Sequence, residues 1–319
     1  MRESVVLVTG AGGFAGSHLL EHLSGSVSLV GWSRFEPPKE LAPLARWQRV
    51  DLLDRDQVAD ALSSIRPSSI FHCAGLPHVA ESWADTAAPL AANVLGTHRL
   101  LEALERLGGH CRVLVTSSAQ VYAPSTEPIT EEQVLAPSSP YALSKLAQEQ
   151  LALRSATSTI EVIISRPFNH TGPRQKPAFL APAVARQIVM IERGLLEPVL
   201  KVGNLVPSRD VMDVRDAVRA YGAIMKSGTP GAIYNVASGV GRPVRMIVEA
   251  LVARSRAPVR IEQDPSRFRP NDVPVLIGSS QRLQQATGWR PEISFEKMID
   301  DLLDYWRRSE TLQANIKRN

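Results

Sequence analysis

Two side chains with the spacing of one helical turn are the first candidates for chemistry in this sequence. Tyr141 and Lys145 lie four residues apart in the stretch from Pro140 to Lys145, so a helix here places both on one face. A neighbouring ammonium favours the ionised phenol and lowers a pKa that is about 10 in free tyrosine. The pair can therefore exchange a proton with a sugar or ketone oxygen near neutral pH. The same spacing occurs on ordinary solvated helices, so the chemistry requires a cofactor and a substrate site elsewhere in the chain.

The N-terminal residues predict a dinucleotide-binding element. An apolar run from Ser4 to Thr9 is typical of a strand buried on both faces of a parallel sheet, and a glycine-rich turn and a helix follow it. Glycines let backbone amides approach a pyrophosphate, and a helix N-terminus offers unpaired N–H groups. A plain tight turn is the alternative, but the position directly after a buried strand favours nucleotide binding. The residues expected at this phosphate site are Gly10, Gly13, Phe14, Ala15 and Gly16.

The end of the second predicted strand bears on the choice of cofactor. The segment Val27 to Trp32 has the strand pattern and is followed by Ser33 and Arg34, with no carboxylate before Glu36. In dinucleotide folds an acidic residue here holds the ribose 2'-hydroxyl of NAD, whereas a basic one accommodates the 2'-phosphate of NADP. The sequence therefore favours NADP(H), with NAD(H) as the alternative if Arg34 is only a solvated loop residue.

Strand and helix patterns alternate as far as residue 165 and predict an α/β protein with a Rossmann-type doubly wound parallel sheet. Leu90 to Leu107 is predicted as one amphipathic helix, with Leu90, Val94, Leu101 and Leu104 on its apolar stripe. Ligands of such sheets bind at the carboxyl ends of the strands. The further cofactor contacts expected near these ends are Asp51, Leu52, Ala74, Gly75, Asn93 and Pro167.

Beyond residue 165 the simple alternation breaks, which predicts a smaller, interleaved α/β substrate-binding domain. We expect a dinucleotide-binding domain of residues 1–168 plus 211–238 and a substrate-binding domain of residues 169–210 plus 239–319. Residues 123–140 contain four prolines and no helical pattern. A loop of this length suggests a function, such as covering the substrate.

Composition narrows the class of protein. The 319 residues are 44% hydrophobic and 21% charged, and no apolar run approaches the roughly 20 residues of a membrane span, so we expect a cytoplasmic protein without a membrane partner. The net charge of +4 fits an anionic small substrate, and no Lys/Arg block indicates nucleic acid. Cys73 and Cys111 fit reduced thiols and do not have the spacing of a metal site.

Three motifs, in this order, resemble the extended short-chain dehydrogenases/reductases that act on nucleotide sugars, the NAD-dependent epimerase/dehydratase family. They are the glycine turn at 9–16, the segment at 117–122 and the Tyr141–Lys145 pair. The C-terminal half is most similar to the branch of GDP-mannose dehydratases and GDP-4-keto-6-deoxymannose reductases. The stretches that carry this second similarity are 168–173, 201–205, 209–216 and 269–278.

The resemblance implies roles for individual residues. Tyr141 would exchange the proton with the sugar oxygen, Lys145 would hold the nicotinamide ribose and lower the pKa of Tyr141, and Ser118 would hydrogen-bond the reacting oxygen. Arginines suit a diphosphate because their planar forks bind it in a bidentate manner, and a surface ion pair is the alternative for each. The substrate-side residues implied are Gln120, Asn169, Lys201, Arg209 and Arg269. A homodimer through the helices at 90–107 and 141–155 is also implied.

One departure from the family pattern separates the reactions. The dehydratases carry a glutamate base two positions after the catalytic Ser or Thr, where this chain has Gln120, which cannot accept a proton at neutral pH. Reduction and epimerisation need only Ser118, Tyr141 and Lys145. We therefore expect NAD(P)H-dependent reduction of a nucleotide-activated 4-keto-6-deoxyhexose, most simply GDP-4-keto-6-deoxy-D-mannose to GDP-D-rhamnose. The alternatives are a nucleotide-sugar 4-epimerase with tightly bound NAD and a non-catalytic dinucleotide-sensing module.

Overall fold

The computed structural model describes residues 4–79, 81–268 and 273–309. The strands within these ranges are β1 (Val5–Thr9), β2 (Ser28–Ser33), β3 (Arg46–Arg49), β4 (Ser69–His72), β5 (Cys111–Thr116), β6 (Ile160–Pro167), β7 (Asn169–Thr171), β8 (Val199–Val202), β9 (Ser208–Asp213), β10 (Ile233–Val236), β11 (Gly241–Pro243), β12 (Arg260–Gln263) and β13 (Val275–Leu276). The α-helices are α1 (Phe14–Leu23), α2 (Arg55–Ile65), α3 (Glu81–Ala84), α4 (Ala87–Pro89), α5 (Gly96–Leu107), α6 (Pro140–Arg154), α7 (Leu180–Glu192), α8 (Val214–Ser227), α9 (Val244–Val252), α10 (Gln281–Thr287) and α11 (Phe295–Arg308). Among the helices of the described ranges, none combines the length and apolar character needed to cross a bilayer.

A parallel sheet of seven strands in the order β10-β6-β5-β4-β1-β2-β3 forms the centre of the molecule. Its alternating residues face two separate cores: Val6 and Val8 pack with α1 and α8, whereas Leu7 packs with α2 and α5. This two-sided burial explains the continuous apolar run in β1. The strand order reverses between β1 and β4, and this switch point is where a doubly wound sheet opens a ligand crevice. The fold predicted from the sequence is confirmed.

The segment Leu90 to Leu107 differs from the single amphipathic helix that the sequence predicts. Residues Leu90–Leu95 form a wide π turn, and the regular helix α5 begins at Gly96. Leu101 and Leu104 are buried as expected, but Leu90 is 42% exposed. A π turn holds more residues than an α turn, so the 3.6-residue period used for the prediction fails across it. Asn93 lies within this turn and is fully buried.

A smaller unit packs beside the carboxyl ends of the main sheet. Strand β9 pairs with β7, β11 and β13, while β8 and β12 form a separate pair. Helices α7, α9 and α11 bury a third core that includes Ile188, Leu251 and Trp306. The fully buried Asp210 of β9 joins the strands: its carboxylate accepts hydrogen bonds from Ser238, Gly239 and Gly278.

We expect Asp210→Ala to lower the free energy of unfolding by about 3 kcal/mol, because several buried donors lose their acceptor at once. Urea denaturation of both proteins measures the difference. The control is Asp60→Ala, which changes an exposed carboxylate on α2 and should shift stability by no more than about 0.5 kcal/mol. Equal stability of the two variants would contradict a joining role for Asp210.

Candidate active site

The glycine turn between β1 and α1 has the geometry of a pyrophosphate cradle. Gly10 has φ +67°, and a Cβ there would lie 2.8 Å from the backbone nitrogen of Ala74, so only glycine allows β1 and β4 to approach so closely. The Gly13 N–H donates to the Gly10 carbonyl at 2.9 Å, and a Cβ on Gly16 would collide with the same carbonyl. Within the described residues, no side chain caps the N-terminus of α1. The first-turn amides of α1 thus suit the phosphates of a dinucleotide.

Phe14 and Ala15, which open α1, are half-buried rather than freely exposed. The ring of Phe14 stacks on His170 of β7, with 5.6 Å between the ring centroids. The glycine turn is therefore in contact with the segment that carries Asn169, the predicted substrate-side residue at the start of β7.

The far end of the crevice carries two arginines at the ends of neighbouring strands. Ser33 ends β2 with its hydroxyl toward the glycine turn, 3.4 Å from where a Cβ on Gly12 would lie. Arg34 follows it, is exposed, and lies over the ring of Phe35 at 5.7 Å. Arg49 of β3 is also exposed and is in register with Ser33, so the side chains of Ser33 and Arg49 lie on the same face of the sheet. Sequence reasoning missed Arg49 because strand register cannot be read from one strand alone.

Asp51 and Leu52 follow β3 and are half-buried. The Asp51 carboxylate accepts the backbone N–H of Leu53 at 2.9 Å, which closes the turn at the end of the strand. A Cβ on Gly96 of α5 would lie 3.3 Å from the Leu52 side chain. The two residues therefore line the same edge of the sheet as Ser33, as the sequence predicts.

The other end of the crevice brings together Gly75, Asn93 and Lys145. A Cβ on Gly75 would lie 2.5 Å from Asn93 Oδ1 and 3.5 Å from Lys145 Nζ. Asn93 accepts the backbone N–H of Leu76 at 2.9 Å and donates to the Ser144 hydroxyl at 2.8 Å. Asn93 therefore fixes the chain after β4 against α6. Ser144 was not predicted, although its place three residues after Tyr141 is the signal that would have found it.

Lys145 is buried and anchored beneath this cradle. Its ammonium donates to the Thr116 carbonyl at 2.8 Å and to Gln148 Oε1 at 2.9 Å. An ammonium has three donors, so within the described residues these two bonds leave one direction for a bound hydroxyl. Burial lowers the pKa of Lys145 to about 8, while Cys73 and the negative charge of Glu149 act in the opposite direction.

Tyr141 and Ser118 come together as predicted. Pro140 opens α6, and the Ser139 hydroxyl caps it by accepting the Ala142 N–H at 3.1 Å. Tyr141 is 7% exposed and is held by its backbone N–H, which donates to the Ser82 hydroxyl at 3.2 Å. Burial raises the pKa of Tyr141, and a hydrogen bond with Ser118 lowers it only in part. The net lowering expected from Lys145 is therefore wrong, because desolvation of the phenolate outweighs the hydrogen bond with Ser118.

The predicted substrate-side residues lie in different places. Gln120 is half-buried beside Ser118, whose hydroxyl accepts the Gln120 backbone N–H at 3.2 Å. Pro167 and Asn169 are half-buried where β6 gives way to β7. Arg209 is partly buried on β9 and donates to the Ser208 carbonyl at 2.9 Å.

One of the predicted substrate residues, Lys201, is not brought to this centre. Lys201 is exposed on β8, and its carbonyl accepts hydrogen bonds from Gln187 and Arg267 at 3.2 and 3.1 Å. Strand β8 pairs with β12 and not with the main sheet. Arg269 lies outside the described residues.

Arg174, which has no sequence interpretation, links the two halves of the site. Its backbone is left-handed, with φ +69°. Its guanidinium binds Glu21 of α1 in a bidentate manner at 2.9 and 2.7 Å and donates to the Ser17 hydroxyl at 3.0 Å. A hydrogen bond from His18, together with Arg174, lowers the pKa of Glu21 to about 2. The chain after β7 is therefore fastened to the helix that follows the glycine turn.

Comparison with known proteins agrees with this geometry. The family model of GDP-mannose 4,6 dehydratase matches residues 7–302. The chain belongs to this family. It is 38% identical over 305 residues to the GDP-6-deoxy-D-mannose reductase of Pseudomonas aeruginosa, covering 94% of this chain and 96% of that protein.

Solved structures give the same picture. The structure of RMD from Pseudomonas aeruginosa complexed with NADPH has a TM-score of 0.84 and 36% identity, and covers 95% of this chain and 99% of that one. The UDP-glucose 4-epimerase of Thermus thermophilus in complex with NAD has a TM-score of 0.85 and 28% identity, and covers 96% and 99%. The resemblance stated from the sequence and the class of enzyme, an NAD(P)-dependent oxidoreductase, are confirmed.

The buried ammonium predicts how the enzyme responds to pH. If Lys145 must be protonated to hold the cofactor ribose, activity is retained below its pKa of about 8 and lost as the pH rises through that value, by about tenfold for each further pH unit. A profile of kcat/KM against pH measures the decline. Lys145→Arg keeps its charge at alkaline pH, so whatever activity it retains should not show the decline. A wild-type profile that stays flat on the alkaline side would contradict the assignment.

Proposed function

We propose that this chain reduces the 4-keto group of a nucleotide-activated 4-keto-6-deoxyhexose with NAD(P)H, converting GDP-4-keto-6-deoxy-D-mannose to GDP-D-rhamnose. The observation that carries the proposal is its 38% identity, over 94% of this chain, to a GDP-6-deoxy-D-mannose reductase. The convergence of Ser118, Tyr141 and Lys145 at the carboxyl ends of β5 and along α6 supports it.

The state of Tyr141 suits the direction of reduction. Because burial raises its pKa, the phenol is protonated at neutral pH and is ready to donate. Ser118 orients the keto oxygen through its hydroxyl, and Tyr141 delivers the proton to that oxygen, so a free alkoxide does not accumulate. When bound, the reduced nicotinamide supplies the hydride for the keto carbon. Lys145 holds the cofactor ribose with its remaining donor direction.

Gln120 argues against dehydration despite the name of the family. Its backbone N–H donates to the Ser118 hydroxyl at 3.2 Å, so the residue lies beside Ser118 and carries an amide where the dehydratases carry a glutamate. An amide binds a sugar hydroxyl but does not take its proton. We therefore propose Gln120 as a substrate-binding residue.

The decisive test is incubation of the purified protein with GDP-4-keto-6-deoxy-D-mannose and NADPH. We expect the absorbance of the reduced cofactor to fall while a GDP-deoxyhexose forms. Tyr141→Phe removes one oxygen atom and should lower kcat by about 10²–10⁴-fold without weakening NADPH binding. Tyr305→Phe on helix α11, which carries none of the residues assigned to the site, is the control and should leave kcat unchanged. Constant absorbance with the wild-type protein would exclude the reductase.

Two other functions predict different results in the same assay. A 4-epimerase with tightly bound NAD would interconvert sugars with no net loss of reduced cofactor, and a solved UDP-glucose 4-epimerase does share this fold at 28% identity. A sensing module would bind dinucleotide without turnover. The clustered Ser118, Tyr141 and Lys145 favour a catalyst over the sensing module.

We further propose that the cofactor is NADP(H). Arg34 and Arg49 flank Ser33 at the point where the adenosine ribose of a dinucleotide lies in this fold, and two arginines suit a 2'-phosphate. A related structure contains NADPH, whereas another contains NAD.

The two arginines can be tested by binding alone. Arg34→Ala and Arg49→Ala should each weaken NADPH binding about tenfold, since each removes a charge-assisted contact, and should leave NADH binding within about twofold. The matched control is Arg46→Ala, because Arg46 lies on the same strand but pairs with Val30 on the opposite face. Cofactor fluorescence titrations give the dissociation constants. Equal weakening of NADPH and NADH would contradict a role in 2'-phosphate recognition.

The remaining residues predicted from the sequence are proposed in the same roles. We propose Asp51, Leu52, Ala74, Gly75, Asn93 and Pro167 as cofactor contacts, together with the glycine turn. On the substrate side we propose Asn169, Lys201, Arg209 and Arg269. The exposed position of Lys201 on β8 makes it the most peripheral of the described members.

We also propose the two-domain division, with the boundaries given above, and a homodimer. The main sheet consists of β1 to β6 and β10, which all lie within the proposed dinucleotide-binding domain. The proposed boundary at residue 211, however, falls inside β9. Leu90, Leu95 and Leu143 are 42%, 40% and 52% exposed on the π turn and α6, which pack together. A shared apolar surface of this kind suits a second copy of the chain. The cytoplasmic location and the lack of nucleic-acid or membrane partners stay predictions from the sequence.

A further inference from the structure

We propose that Glu149 is a positioning residue, which acts with Arg166 through a buried network to hold Ser118, Lys145 and the start of β7 in one arrangement. The inference rests on the proposed reductase function, but its test includes a readout that needs no turnover. The network consists of Ser117, Tyr122, Glu149, Arg166 and Asn235, and we call it the Glu149 network.

A bidentate ion pair lies at its centre. Glu149 is 0% exposed and Arg166 is 1% exposed. Arg166 Nε donates to one Glu149 oxygen at 2.9 Å, and a terminal nitrogen donates to the other at 2.6 Å. The Ser117 hydroxyl also donates to Glu149. This fork-on-carboxylate geometry fixes both partners more strictly than a single bond does.

The network continues from Arg166 to the long loop. Its guanidinium lies 4.8 Å from the centre of the Tyr122 ring and donates to the Tyr122 hydroxyl at 2.9 Å. That hydroxyl donates to Asn235 Oδ1 at 2.7 Å, and Asn235 Nδ2 donates to the Ile129 carbonyl at 3.0 Å. The loop at 123–140 is therefore tied to the same ion pair.

Each end of the network adjoins a residue of the site. Ser117 directly precedes Ser118, and Glu149 lies one helical turn after Lys145 on α6. Arg166 precedes Pro167 and leads into β7, which carries Asn169. The Glu149–Arg166 ion pair thus connects three residues with assigned roles. They are Ser118 for the keto oxygen, Lys145 for the cofactor ribose and Asn169 for the sugar.

Stability alone gives a weak reason for such a pair. Removing two charges from water is costly, and well-packed apolar residues of similar volume often stabilise a buried site as well or better. The buried ion pair instead suits a site that needs its side chains held in fixed positions and a negative charge kept near Lys145. The following experiments separate that requirement from simple packing.

The charge of Glu149 also acts on the ammonium of Lys145. Burial raises the pKa of Cys73 to about 12 and also raises the pKa of Tyr141, so both are neutral near pH 7. Burial and Lys145 lower the pKa of His72 to about 3, so this ring is neutral too. Among the described groups, Cys73 and Glu149 both act to raise the pKa of Lys145, Cys73 more strongly when it is ionised. Near pH 7 the Cys73 thiol is neutral, so the negative charge of Glu149 is left to support the protonated form of Lys145.

The test compares Glu149→Gln with the double variant Glu149→Leu/Arg166→Met. Glu149→Gln should lower kcat by about tenfold or more and move the alkaline limb of the pH profile toward lower pH. The double variant should keep or raise Tm, because it removes both charges together, yet should retain the low kcat and the shifted limb. Ser117→Ala, a milder change, should lower kcat without lowering Tm appreciably.

The matched control is a second, largely buried ion pair, which joins α7 to α11 and contains none of the residues assigned to the site. Glu192 of α7 binds Arg307 of α11 in a bidentate manner at 3.0 and 2.7 Å. Glu192→Gln should lower Tm while kcat and the pH profile stay as in the wild type. This outcome separates a loss of stability from a loss of positioning.

The pH dependence of the NADPH dissociation constant gives a readout independent of turnover. In the wild type, binding should weaken as Lys145 loses its proton, and in Glu149→Gln this weakening should begin at lower pH. If wild type binds NADPH but does not reduce the ketosugar, the proposed function fails while the shift still decides the role of Glu149. A double variant with wild-type kcat and wild-type pH profiles would overturn the positioning role.

Discussion

The burial of one ammonium group is the constraint on which the rest of the structure depends. Lys145 sits out of water, held by a strand-end carbonyl at Thr116 and by Gln148. A buried cation is tolerated only where oxygen acceptors and a nearby negative charge compensate for lost hydration. The carboxyl ends of parallel strands provide such carbonyls, and α6 provides the rest. The position of the site follows from where the sheet can accommodate this charge.

The same low-dielectric setting determines what the tyrosine can do. Burial disfavours charge on both side chains of the pair, so it raises the pKa of Tyr141 and lowers the pKa of Lys145. The phenol therefore favours giving a proton over taking one. A dehydratase needs an additional carboxylate base, and the amide of Gln120 takes that place in this chain. The raised pKa of Tyr141 and the amide of Gln120 both favour proton donation to a ketone.

Much of this site follows from the sequence, and the failures have physical causes. Three features could be predicted because they depend only on residues close together in the chain. They are the four-residue spacing of Tyr141 and Lys145, the glycines after a buried strand and the serines after β5. Arg49 depends on register between strands, and Arg174 depends on a contact across 153 residues of chain. The direction of the Tyr141 pKa depends on burial, which spacing does not encode. Leu90 was misplaced because a π turn interrupts the helical period.

The contact of Arg174 with α1 bears on how binding of the cofactor and binding of the sugar substrate affect each other. The chain after β7 and the helix after the glycine turn share one bidentate ion pair and one pair of stacked rings, Phe14 on His170. We expect a ligand that orders either segment to restrict the other as well, so that the second ligand loses less conformational freedom when it binds. By thermodynamic reciprocity this effect is expected to be equal in both directions. The contacts that join the two halves of the crevice in space are thus also the ones through which their binding free energies can be coupled.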